Sequence, residues 1–134
     1  MPRDAFPAGS PEDWLRHARA DLALASVALP EDGLLELLCF HAQQAVEKCL
    51  KAVLLAQGAE LIKTHDIGRL ITALSPGLEP PQEVLLSTRL QLYASDTRYP
   101  GTEEEVSERE HEEAVSLAMA VVEWASRQVR PDQP

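Results

Sequence analysis

LLELLCFHAQQAVEKCLKAVLLAQG, residues Leu34 to Gly58, is the stretch that decides the fold. Its residues are mostly strong helix formers, and the spacing predicts one helix from Leu34 to Gln57, about 35 Å long, stopped by Gly58 as a natural residue just past a helix end. At 100° per residue, Ala42, Ala45, Cys49 and Ala52 fall on one stripe of small side chains, and Val46, Leu50 and Val53 extend the apolar surface beside it. Small side chains let a neighbouring helix approach closely. Gln43, Gln44, Glu47, Lys48 and Lys51 fall within a polar arc of roughly 140°, with His41 at its margin. Taken alone, Glu47 and Lys51 make an ordinary i, i+4 ion pair worth about 0.3–0.5 kcal/mol, and Gln43 and Gln44 are expected to face water or a second copy of the chain.

Working outward, an N-terminal arm over residues 1–9 carries two prolines and a glycine without periodicity. Ser10 as N-cap, Pro11 in the first turn and Asp13 three residues past the cap open a helix running to about Val27. Its apolar face is Trp14, Ala18, Leu22 and Ala25, with Asp21 on the same stripe and expected at its edge, in water. Residues 30–33 form a turn. Thr64 can cap a short helix from His65 to Leu74, ended by Ser75, Pro76 and Gly77. A fourth helix is expected from Pro80 and Pro81 to just before Pro100. Either Thr102 with Glu105 or Ser107 with Glu110 supplies a capping box for the last helix, which runs to about Val129. The result is an all-α, up-and-down antiparallel bundle of four long helices with one short helix inserted, spanning residues 10–130 and followed by a tail over 131–134.

Composition agrees with one such domain. The 134 residues are 45% hydrophobic but only 4% aromatic, so the core is built from Leu, Val and Ala packed helix on helix. Cys39 and Cys49 lie on one helix about 15 Å apart, too far to pair. No charged-then-apolar leader opens the sequence and no apolar run reaches membrane-spanning length, so the cytoplasm is the expected compartment. A net charge of −10 opposes extended contact with nucleic acid while leaving room for a local basic pocket. The scattered glycines make no phosphate-cradling loop, and there is no His-Glu-x-x-His, Cys-x-x-Cys or repeated Glu-x-x-His to hold a metal. No cofactor is expected. Glu108 and His111 form a lone Glu-x-x-His inside an acidic run, seven of the eleven residues from Glu103 to Glu113, which reads as a solvated helix start.

Two segments go beyond a generic bundle: Phe40 to Ala52 (FHAQQAVEKCLKA) and Tyr93 to Pro100 (YASDTRYP). With Thr64-His65-Asp66-Ile67 and Ala20-Asp21-Leu22, they resemble the HEPN family of small helical domains over roughly Asp13 to Val129. The resemblance implies an up-and-down bundle, commonly a homodimer, often paired with a small nucleotidyltransferase-fold protein as toxin and antitoxin. Many members of that family are metal-independent ribonucleases marked by an Arg and a His separated by four to six residues. This sequence departs from the pattern: the permitted places after Arg98 hold Glu103, Glu104 and Glu105, and no other arginine has a histidine at that distance. Metal-free RNA cleavage needs a base for the 2′-hydroxyl and a cation for the phosphate, and three glutamates would repel the substrate.

The expected role is therefore a partner subunit with no catalytic residue, binding a nucleotidyltransferase and a nucleotide or RNA end. The candidate site pairs Lys48, Lys51 and Arg98 on phosphate, with Gln44 and His65 orienting and Tyr93 or Tyr99 stacking on a base. Two rival expectations are a ribonuclease using His65 or His111 with Arg98, and a structural dimer without a small ligand.

Overall fold

A computed structural model describes residues 6–94 and 105–130. Within them the chain is all-helical: α1 is Pro11–Ala25, α2 Leu35–Ala56, α3 Ile67–Thr72, α4 Gln82–Leu86, and α5 Glu108–Val129, with a 3₁₀ helix over Ser87–Tyr93 continuing α4. No strand occurs among the described residues. None of their helices is long and apolar enough to cross a membrane.

The caps follow from local chemistry. Ser10 Oγ accepts from the Asp13 amide at 3.2 Å, and the Asp13 carboxylate accepts from the Gly9 amide at 3.0 Å, so α1 begins where Ser10 and Pro11 place it. Gly58, at φ +85°, ends α2 as expected. At α5 the capping box is the Ser107 and Glu110 pair, with both arms at 3.1 Å. Thr102 lies outside the described residues.

Two helices differ from the sequence reading. α3 is capped by Asp66, whose carboxylate accepts from the Arg69 amide at 3.3 Å, while the Thr64 hydroxyl accepts from the Asp66 amide. A carboxylate two residues downstream outcompetes the hydroxyl for the helix start, and His65 is left outside the helix. The fourth helix is not one long α-helix over its described part. After five residues it tightens into the 3₁₀ form, where the Ser87 and Thr88 hydroxyls donate to the carbonyls three residues back, Val84 and Leu85. Such back-bonding competes with the α ladder. Residues 95–100, its expected end, lie outside the described set.

α2 is the axis of the bundle. Ala42, Ala45, Cys49 and Ala52 are fully buried, as are Val46, Leu50 and Val53. α1 and α5 pack against this helix from two sides, and the α3 and 3₁₀ segments close the rest. His111 Nε2 lies 2.7 Å from the Ala25 carbonyl, and Arg19 donates to Ser126 Oγ at 2.7 Å. Together these two contacts set α5 antiparallel to α1, with the start of α5 beside the end of α1.

Candidate functional site

Two carboxylates organise the polar side of α2. Glu47 is buried, and its oxygens gather donors from one helix and one loop: Lys51 Nζ at 2.9 Å, Gln43 Nε2 at 3.3 Å, Gln44 Nε2 at 3.5 Å, and His65 Nδ1 at 3.1 Å from both oxygens. Lys51 Nζ also stands 5.4 Å from the centre of the Trp14 ring, so the ammonium sits between a carboxylate and an aromatic face of α1. Gln43, fully buried, accepts from Gln44 at 2.8 Å, and every strongly buried side-chain polar atom among the described residues has a partner.

Asp21 of α1 holds the second group. It lies 7% exposed, receives Lys48 Nζ at 2.6 Å on one oxygen, and faces His41 Nδ1 at 2.9 Å on the other. The result is two parallel lysine–carboxylate–histidine arrangements along one helix, one tying α2 to α1 and the other tying α2 to the loop before α3. In each, the carboxylate takes the imidazole Nδ1, and Nε2 has no hydrogen bond among the described residues. His65 is the more open, with its side chain 72% exposed against 32% for His41.

These contacts correct the reading of Asp21 as lying in water, of Gln43 as facing water or a second copy, and of Glu47 and Lys51 as an ordinary i, i+4 pair. The carboxylate on the apolar stripe of α1 is a buried, partnered residue, because the polar arc of α2 turns toward it. The i, i+4 pair is inside the protein, with side chains 3% and 7% exposed. Helical spacing places a residue on a face but does not say which neighbour covers that face.

Of the residues expected at a nucleotide site, Gln44, Lys51 and His65 meet around Glu47, and Lys48 lies beside them, salt-bridged to Asp21. Lys51 is beneath the surface, whereas Lys48 keeps a quarter-open side chain and uses one of its three N–H groups on Asp21. Tyr93 is elsewhere: it is buried in the core where the 3₁₀ helix meets α5, lining a cleft with Arg89, Leu90 and Leu117. Arg98 and Tyr99 lie outside the described residues. His111 is taken up by the fold through its contact with Ala25. Among the described residues, no cluster of three or more His, Cys, Asp or Glu is arranged to hold a metal ion. Burial pushes the Cys49 thiol well above its ordinary range, which removes it as a nucleophile. Sequence reasoning missed Asp21, His41 and Glu47 as the anchors, and the signal was present: an acid on an apolar stripe opposite a helix bearing His41 and Lys48 two turns apart.

This geometry sits in a fold with known relatives. The sequence pattern of the HEPN domain matches residues 11–129. The chain is similar to TT1696 from Thermus thermophilus, whose crystal structure shares 30% identity at a TM-score of 0.76 over 88% of this chain and 97% of that one. It is also similar to ST0689, described as an archaeal HEPN homologue, at 30% identity and a TM-score of 0.69 over 90% of this chain and 98% of the other. No curated protein matches the sequence. With the sequence pattern spanning nearly the whole bundle and two solved structures sharing both its fold and nearly a third of its residues, the chain belongs to the HEPN family.

Proposed function

We propose that this protein is a HEPN partner subunit, homodimeric, that assembles with a small nucleotidyltransferase-fold protein as one half of a toxin–antitoxin pair and binds a nucleotide phosphate or RNA end. The observation that supports the binding step is the open edge of α2. Lys48 presents its two remaining N–H groups there, with the Gln44 carbonyl and the His65 imidazole beside it, each side chain held in place by a buried carboxylate or amide. A preorganised ammonium of this kind recognises phosphate oxygens without reorganisation. Lys51 acts in this reading as the buried counter-charge that fixes Glu47. Arg98 supplies the second cation and Tyr99 the stacking surface.

The test is thermal stabilisation of the purified protein by ATP, other nucleoside triphosphates and a short RNA, repeated with Lys48→Ala and Arg98→Ala. A ligand present at about 100 times its dissociation constant adds about 2.7 kcal/mol, a shift that both substitutions should abolish. Absence of any shift removes the nucleotide half of the reading. The assembly half is tested separately by co-expression with a neighbouring nucleotidyltransferase and sizing of the complex, and elution of the two proteins apart removes it.

One observation favours a second reading. An exposed imidazole whose Nδ1 is held by a buried carboxylate is the arrangement of a general base, with Nε2 left to accept a proton. A metal-independent ribonuclease would use His65 Nε2 on the 2′-hydroxyl and Arg98 on the phosphate. Cleavage of a fluorogenic RNA in excess chelator, lost in His65→Ala, would establish it.

A further inference from the structure

The end of the bundle where α1 hands over to α2 is unusual for an acidic chain. Leu24, Val27, Leu29, Leu34 and Leu37 are each between 43% and 58% exposed, and all five fall within fourteen residues. They flank one connection: Leu24 lies in the last turn of α1 and Val27 just past its cap Ser26, while Leu34 is the extended N-cap of α2 and Leu37 lies in its first turn. The hairpin sets these two turns side by side, and Leu29 folds back over Gly33 between them, where an added Cβ would stand 2.9 Å from its Cδ1. Single exposed leucines are ordinary on a surface, but a contiguous group of this kind marks a docking face.

The occupant follows from the charge around it. Glu31 and Asp32 are exposed within the connecting turn. The contact of His111 with the Ala25 carbonyl brings the first turns of α5 to the same end of the bundle, and with them the exposed Glu108 and Glu112. No Lys or Arg occurs between Arg19 and Lys48, and Arg109 is the one Lys or Arg in the opening turns of α5. The patch is thus an apolar centre with an acidic rim. Two copies meeting here would press like charges together, and an anionic lipid or nucleic-acid surface would be repelled. We propose that this end of the bundle docks a protein partner presenting an amphipathic helix whose apolar stripe is flanked by lysine and arginine. The stripe seats on Leu24, Val27, Leu34 and Leu37, and the flanking cations meet Glu31, Asp32, Glu108 and Glu112. The surface adjoins the polar side of α2, Leu37 standing one turn before His41, yet its recognition uses no nucleotide chemistry and stands apart from the nucleotide-binding half of the reading above.

The test uses the full chain, isotopically labelled, with two synthetic helical peptides as probes that share one leucine stripe and differ in carrying lysine or glutamate on the polar side. The lysine peptide should perturb the amides of residues 24–37 and 108–112 saturably, with an affinity that falls as salt rises and drops at least about tenfold in Leu34→Ser/Leu37→Ser, about 1.4 kcal/mol. Circular dichroism checks that this variant keeps its helix content. Equal binding of the glutamate peptide, perturbation confined to other residues, or no binding overturns the proposal. So does conversion of a dimer to a monomer by the same double substitution in sedimentation, which would assign the patch to a second copy.

Discussion

Neutralising Glu47 while keeping its shape, as Glu47→Gln, leaves the Lys51 ammonium buried beside Trp14 without its counter-charge. Lys51→Met does the converse and leaves a carboxylate that is 3% exposed with only amides and an imidazole around it. Breaking a buried pair from either side costs about 3–5 kcal/mol, whereas removing both charges together avoids stranding either one. Each single substitution is therefore expected to lose about 3 kcal/mol, and Glu47→Gln/Lys51→Met to lose no more than one of them alone, a coupling of about 3 kcal/mol. An exposed i, i+4 pair would give only about 0.3–0.5 kcal/mol, so the two cases are well separated. Equilibrium urea denaturation reads the difference: with an m-value of about 1.5 kcal/mol/M, each single variant should move its midpoint down by about 2 M. Single-variant losses that add to within about 0.5 kcal/mol in the double variant would refute the buried-pair reasoning.

Three further outcomes follow from the described contacts. Ser107→Ala removes the hydroxyl arm of the α5 capping box and should cost about 1 kcal/mol, read as a fall of a few degrees in the thermal midpoint, while Ser107→Asp should largely keep it. Cys39 and Cys49 are fully buried, and burial raises the Cys49 thiol, so neither should react with a thiol reagent in the native protein at neutral pH; both should react at once in denaturant. Asp13 is held below its ordinary value of 3.8 first by the Gly9 amide and then by Arg16. A carboxyl depressed on folding stabilises above its unfolded value and loses that contribution as pH falls through its folded value. Asp13→Asn should accordingly flatten the drop in stability below about pH 4, measured as denaturation midpoint against pH.

The helices were legible in the sequence because their signals are local. Ser10 and Pro11, Ser107 and Glu110, and Gly58 each act within one turn, and the small stripe of Ala42, Ala45, Cys49 and Ala52 depends only on the period of one helix. The 3₁₀ segment was not legible, since whether Ser87 and Thr88 turn their hydroxyls back onto carbonyls is decided by what packs above them. Nor were the partners of Asp21. Its stripe position was correct, but its burial depends on how α1 is rotated against α2, which no single-helix pattern contains. The candidate site divides the same way: Gln44, Lys51 and His65 are legible as residue types, while the acid that assembles them reads only as half of an ordinary i, i+4 pair.

The span of Asp21 across His41 and Lys48 has one more consequence, for how the helices index against each other. A seam of alanines offers little resistance to sliding, because small side chains look alike from one turn to the next. Displaced by one turn, about 5.4 Å, Asp21 would face Leu37 and Gln44 in one direction, without a cation, or Gln44–Ala45 and Lys51–Ala52 in the other, where Lys51 is already held by Glu47. The salt bridge thus works as a detent: it adds modestly to the depth of the native well but empties the wells on either side, so the smoothest interface in the protein admits a single axial position.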